Sequence, residues 1–265
     1  MIVTKNLRKE FGPNVAVADL NLDIKEGEFF CFLGPNGAGK TTTIKMLTGL
    51  IRPTSGTATL GGFDISREPL EAKKLIGYIP DHPFLYEKLT GREFMRFVAG
   101  LYKMSRNGTD RAADELLETF ELGKVADQLI ENYSHGMRQK LSFASCFLHE
   151  PKVLIVDEPW VGLDPKNIRF VKDFLKERTR EGLTVLMSTH TLSIAEEIAD
   201  RIELGSKIRL VEVPPEVVHP QSHASAFRSC ATPAATRQPS SRSPRWHTSL
   251  SSLSSTVSRL CRSGM

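Results

Sequence analysis

Long apolar runs are missing from this sequence. Its uninterrupted hydrophobic stretches are short, such as Val153-Leu154-Ile155-Val156, far below the roughly 20 residues needed to span a bilayer. The first ten residues, Met1 to Glu10, lack the apolar core of a secretory leader, so the chain is expected to be made and kept in the cytosol. Cysteine is scarce: Cys31, Cys146, Cys230 and Cys261 show no C-x-x-C spacing. That excludes a zinc site or a disulfide framework and leaves buried or free reduced thiols.

A basic character is also missing from most of the chain. The net charge is +4, but residues 214–265 hold six arginines, no lysine and a single acid, Glu216, giving +5. The first 213 residues therefore sum to −1, which is no nucleic-acid footprint. The same 52-residue tail contains thirteen serines and six prolines and lacks Lys, Asp, Asn, Ile and Tyr. Such a composition cannot bury enough apolar surface to order itself. It reads as a disordered tail or as a stretch translated outside the original frame.

What is present alternates. Leu20-Asn21-Leu22-Asp23-Ile24 has the two-residue period of a half-buried strand. Ala58-Thr59-Leu60, Gly61-Gly62 and Phe63-Asp64-Ile65 read as a hairpin. Phe29 to Leu33 is continuously apolar, as in a strand buried on both faces, and a helix is predicted from about Lys40 to Thr48. Residues 88–148 are helical in pattern. Phe94, Phe97, Val98 and Leu101 form one stripe expected in the core, and Leu116, Leu117 and Phe120 a second. Beyond Pro151 a strand (Val153–Val156), a helix (about 166–180) and a strand (Thr184–Ser188) follow. This alternation predicts an α/β fold with a mainly parallel sheet.

Gly34-Pro35-Asn36-Gly37-Ala38-Gly39-Lys40-Thr41 fits the phosphate-binding pattern G-x-x-x-x-G-K-[ST], with Thr42 next in line. Its glycines let backbone N–H groups close around phosphate, and the following helix points its positive end there. Lys40 is expected on the β- and γ-phosphates and the Thr41 hydroxyl on Mg²⁺. Asp157 and Glu158 end the second apolar strand. Asp157 would hold the Mg²⁺ shell while Glu158 polarises the attacking water. Ser188-Thr189-His190 ends a third strand, expected beside the other two, with His190 facing the γ-phosphate. A guanine-reading N/T-K-x-D motif does not follow the loop; Thr4-Lys5-Asn6-Leu7 lies upstream and lacks the Asp.

The order of the phosphate loop, Tyr133-Ser134-His135-Gly136-Met137-Arg138-Gln139, Val153 to Glu158, Gly162-Leu163-Asp164-Pro165 and Ser188-Thr189-His190 resembles the ABC ATPase family over about residues 1–203. The resemblance implies a P-loop NTPase (RecA-like) core, an N-terminal antiparallel β subdomain and a helical subdomain inserted at about 82–148. The nucleotide-binding domain would span 1–213. It also implies an ATPase that uses ATP and Mg²⁺, with Lys40, Glu158 and His190 catalytic. Two such domains would pair head to tail, as a homodimer or with a sister subunit. Ser134, Gly136 and Asp164 of one copy would then complete the nucleotide site of the other, and Phe11 would lie under adenine. The partner so implied is a separate polytopic membrane permease, with the chain peripheral on the inner face of the membrane and export the expected direction; no nucleic acid is expected. Two alternatives stand beside this: a soluble ABC ATPase acting on ribosomes or DNA, although such relatives usually carry two domains or long insertions, and an inactive relic with a damaged C-terminus.

Three features depart from the family pattern. His135 and Met137 replace Gly and Gln in the signature L-S-G-G-Q. Asp81 stands where the family has a Gln beside the metal, and would take that metal-side role. Residues 203–213 match the family's terminal strand pair poorly, so a sheet short of its last strands is expected.

Overall fold

A computed structural model describes residues 1–160, 163–206 and 209–213. Gly162 and the serine-rich tail lie outside the described residues, which fall almost entirely in one compact unit, Met1–Glu212.

The N-terminal part is an antiparallel sheet. Strand β1 (Ile2–Phe11) runs against β2 (Asn14–Ile24), with Ile2 opposite Ile24 and Phe11 opposite Asn14. On its other edge β1 pairs with β4 (Ser55–Leu60), which turns into β5 (Phe63–Asp64). The turn is made by Gly61 and Gly62 at φ 56° and 90°, the positive angles that a two-residue hairpin of this hand requires. Leu20, Leu22 and Ile24 are buried while Asn21 and Asp23 are exposed, as the alternation predicts.

The second sheet has six strands in the order β10-β9-β3-β8-β7-β6. These are β3 (Phe29–Leu33), β6 (Ile76–Ile79), β7 (Val153–Asp157), β8 (Thr184–Thr189), β9 (Arg201–Ser206) and β10 (Arg209–Val213). The pairs β3–β8, β3–β9, β6–β7 and β7–β8 are parallel. Every residue of β3, β7 and β8 is buried, because the sheet separates two cores. Phe30, Phe32, Ile155 and Leu186 face one core, shared with the antiparallel sheet. Cys31, Leu154, Val156, Val185 and Met187 face the other, shared with the helices. Strands β9 and β10 correct the expectation of a truncated sheet: Ile202 is buried against β3 with Cys31 opposite it, so backbone pairing builds an edge that the sequence pattern did not signal.

Helices α1 (Lys40–Leu47) and α2 (Pro69–Lys74) follow β3 and β5. Helices α3 (Gly91–Leu101), α4 (Arg106–Thr119) and α5 (His135–Phe147) are inserted between β6 and β7; α6 (Pro165–Arg180) and α7 (Leu192–Ile198) come later. Helix α3 opens on a capping box: the Thr90 hydroxyl accepts the Glu93 N–H and the Glu93 carboxylate accepts the Thr90 N–H. Its stripe needs correction. The buried face is Gly91, Phe94, Met95 and Ala99, while Phe97 and Leu101 are exposed. The helix comes close at its start: a Cβ on Gly91 would meet the Tyr133 hydroxyl at 2.4 Å.

Phe120, fully buried at the end of α4, contacts Phe143 of α5 and Phe170 and Phe174 of α6, with ring centroids 5.0–6.2 Å apart. Phe120→Ala is expected to destabilise folding by about 3–5 kcal/mol, measured by chemical denaturation; a change below about 1 kcal/mol would contradict this packing.

Candidate nucleotide site

The loop after β3 turns back over the sheet, held by a hydrogen bond from the Gly34 N–H to the Thr189 carbonyl, 3.2 Å. Gly37 and Gly39 take φ of 81° and 94°, a region open to glycine at little cost. At Gly39 space is short as well: a Cβ would stand 2.6 Å from the Ala16 carbonyl oxygen. Helix α1 begins there with no acid in its first turn, leaving its positive end free for an anion. Lys40 is buried, its ammonium donating to the carbonyls of Gly34 at 2.6 Å and Pro35 at 3.3 Å. Thr41 is exposed and Thr42 half-buried beside it.

The carboxylates arrive on β7. Asp157 is fully buried, and its Oδ1 accepts a short hydrogen bond from the Ser188 hydroxyl. Glu158 stands one residue on with φ 48°, a left-handed conformation that costs a non-glycine residue about 1–3 kcal/mol and clusters at functional sites. That turn sends its side chain between two neighbours. Oε2 lies 2.9 Å from His190 Nδ1, and Oε1 lies 3.6 Å from Lys40 Nζ. Oε1 is buried and has no hydrogen-bond donor among the described residues. The three predicted strand ends thus converge, with β8 lying between β3 and β7.

The signature segment forms the start of α5. Ser134 caps the helix, its Oγ accepting the Met137 N–H at 3.3 Å. Ser134 and His135 are exposed, and Gly136 lies against Leu163 and Asn167. No hydrogen bond among the described residues joins Ser134 to the phosphate loop. Asp164 is exposed and caps α6 through the Asn167 N–H at 2.8 Å. Asp81 is exposed, its carboxylate accepting the His82 N–H at 2.9 Å. Its charge is felt nearby: burial first, then Asp157 and Asp81, push the Tyr78 phenol up to about 12. Phe11 is 51% exposed at the end of β1, with Lys9 Nζ 5.0 Å from its ring centre.

Two residues of this region carry no motif role in the sequence reading. Ser188 bridges the two carboxylate positions. Gln139, 1% exposed, reaches from α5 to the Pro159 carbonyl at 3.4 Å. Both lie inside quoted motifs, yet only the strand register and the helix packing give them partners.

Residues 17–161 match the ABC transporter family model. An uncharacterized ABC transporter ATP-binding protein of Bacillus subtilis, YhcH, is 43% identical over 214 residues, which cover 79% of this chain and 68% of the relative. The chain belongs to the ABC transporter family. The linearmycin resistance ATP-binding protein LnrL of the same organism is 36% identical over 213 residues, 80% of this chain and 68% of that protein. A dimeric ATP-binding cassette in a post-hydrolysis state, bound to ADP and Pi, superposes with a TM-score of 0.74 at 27% identity, covering 81% of this chain and 99% of that one. This ABC subunit is accordingly an ATP-binding ATPase with the P-loop NTPase fold, its parallel sheet accompanied by the antiparallel one.

Gly39→Ala is expected to weaken ATP binding on the order of tenfold or more, since the Ala16 carbonyl leaves no room for the methyl and the loop must shift. Equilibrium titration with a fluorescent ATP analogue checks it; unchanged affinity would mean that this loop does not close on phosphate.

Proposed function

We propose that this ABC subunit hydrolyses Mg-ATP in a head-to-tail pair of nucleotide-binding domains and thereby drives export through a separate polytopic membrane permease. The reading is carried by the convergence of Lys40, Glu158 and His190, with the two oxygens of Glu158 lying 3.6 Å from Lys40 and 2.9 Å from His190. In it, backbone N–H groups between Asn36 and Thr42 cradle the phosphates and Lys40 moves from its two loop carbonyls to the β- and γ-phosphates. A phosphate is the stronger partner, since both charges then contribute to the hydrogen bond. Glu158 takes the proton of the attacking water, and His190 holds the carboxylate in place while facing the γ-phosphate.

The donor set suits magnesium. Thr41 and Asp157 offer hard oxygen ligands, and no group of three or more His, Cys, Asp or Glu side chains among the described residues could cage a metal. Mg²⁺ is held in this manner, by one or two protein oxygens with waters and substrate phosphates. Thr41 and Asp157 would hold it, with Asp81 on the same side, and the ion would neutralise charge on the phosphates. Phe11 offers an open ring for adenine.

Ser134 and Gly136 stand at an exposed helix start, and the positive end of α5 there suits the γ-phosphate of a second copy or a sister subunit. Asp164 is exposed beside them. The solved dimer with ADP and Pi supports such a pairing.

A permease partner is supported by an apolar surface around α3. Phe84 is 98% exposed, and Tyr86, Phe97 and Leu101 join it. Next to them Leu50, Tyr78, Val98, Tyr102, Cys146 and His149 line a groove of 290 Å³. Contiguous exposed apolar surface of this kind marks an interaction site. No helix among the described residues is long and apolar enough to cross a membrane; in this reading the spanning part is the partner's and the chain lies on the inner membrane face. The resistance role in the name of LnrL supports export as the direction.

Glu158→Gln is expected to retain ATP affinity, lower turnover by about 10²- to 10⁴-fold and accumulate an ATP-bound dimer on size-exclusion chromatography. Lys40→Ala is expected to abolish binding. Undiminished hydrolysis by the Glu158→Gln protein would remove that carboxylate from its assigned role.

A further inference from the structure

Among the described residues, the Ser188 hydroxyl hydrogen-bonds at both acidic positions of the site. It is fully buried on β8, where strand register sets it opposite Asp157 on one side and Phe32 on the other. Its oxygen has one proton and two lone pairs. The Glu158 N–H, which can only donate, points at Ser188 Oγ at 3.2 Å. The single hydroxyl proton is therefore committed to Asp157 Oδ1, with which Oγ makes a short hydrogen bond. The Glu158 N–H is shared with the Ser188 carbonyl, also at 3.2 Å. A directed chain results, from the Glu158 peptide through the Ser188 hydroxyl to the Asp157 carboxylate.

We propose that Ser188 is a positioning residue for ATP hydrolysis, holding the Asp157 carboxylate and the Glu158 peptide in fixed relation to each other. Two consequences give the hydroxyl its value. With Oδ1 anchored, Asp157 presents its other oxygen in one orientation. With its N–H anchored to β8, Glu158 keeps the left-handed φ of 48° that carries its side chain to His190, two residues beyond Ser188 on the same chain. Glycine or threonine-like spacing rules do not call for a serine here: a valine would fill the strand equally well, but it would leave the Asp157 oxygen without its donor in a buried position. The assignment rests on the proposed roles of Asp157 and Glu158, and its test separates the two.

The experiment compares Ser188→Ala, Ser188→Thr and Glu158→Gln in the full-length chain. Turnover (kcat and KM), ATP binding by calorimetry with and without Mg²⁺, and melting temperature are measured for each. Ser188→Ala is expected to lower kcat by about 10- to 100-fold, the usual cost of losing an outer partner of a metal-side ligand. Its Mg-free ATP affinity should match the parent, while the gain in affinity on adding Mg²⁺ shrinks. Ser188→Thr, which keeps the hydroxyl, should recover most of both losses. Parental kcat in Ser188→Ala alongside an inactive Glu158→Gln would overturn the assignment and leave the site reading standing. Equal weakening of Mg-free and Mg-dependent binding in Ser188→Ala would overturn it too, since that marks a general loss of the site. Full activity in Glu158→Gln would instead overturn the site reading on which the assignment rests.

Discussion

The register of three parallel strands is the constraint from which the rest of the site follows. Strand β8 lies between β3 and β7, with Leu33 paired to Thr189 and Asp157 paired to Ser188. The carboxyl ends of the three strands therefore finish level with one another. Each chain leaves the sheet at that level: into the glycine loop after Leu33, into Glu158 after Asp157, and into His190 after Thr189. Parallel strands buried on both faces cannot slip by one residue without exchanging two complete hydrophobic sets between the two cores. The chemistry is thus positioned by packing that lies wholly beneath it.

Charge at this level is concentrated and largely dehydrated. Lys40 is buried, Asp157 is buried, and Glu158 keeps one buried oxygen without a hydrogen-bond donor. Burying such groups is costly unless each finds a partner. The partners present are two loop carbonyls and, at 3.6 Å, the Glu158 carboxylate for Lys40, a hydroxyl for Asp157, and the His190 ring for the other oxygen of Glu158. Carbonyls hold an ammonium less firmly than a phosphate does. The arrangement is therefore stable as folded and still biased toward an arriving anion. The left-handed turn at Glu158 fits the same pattern, since local strain is tolerated where tight surroundings over-determine the backbone.

Much of this was legible in the residues themselves. The phosphate loop announced its strand and helix because only glycine serves at Gly37 and Gly39, and the apolar runs at Phe29–Leu33 and Val153–Val156 announced buried strands. The stripe on α3 was misplaced because Phe97 and Leu101 satisfy helical spacing as well as the true face does; only the approach of Tyr133 to Gly91 tells the faces apart. Strands β9 and β10 were missed because backbone pairing, of β9 to β3 and of β10 to β9, demands little of their side chains. Ser188 and Gln139 gave no signal either, since their partners are far away in sequence and meet them only through register and packing.

Calorimetric titration of Mg-ATP into the purified, folded chain tests the convergence of the three strand ends most directly. The account predicts saturable binding of one nucleotide per chain, competed by ADP. A protein that melts cooperatively yet releases no saturable heat with Mg-ATP would contradict it.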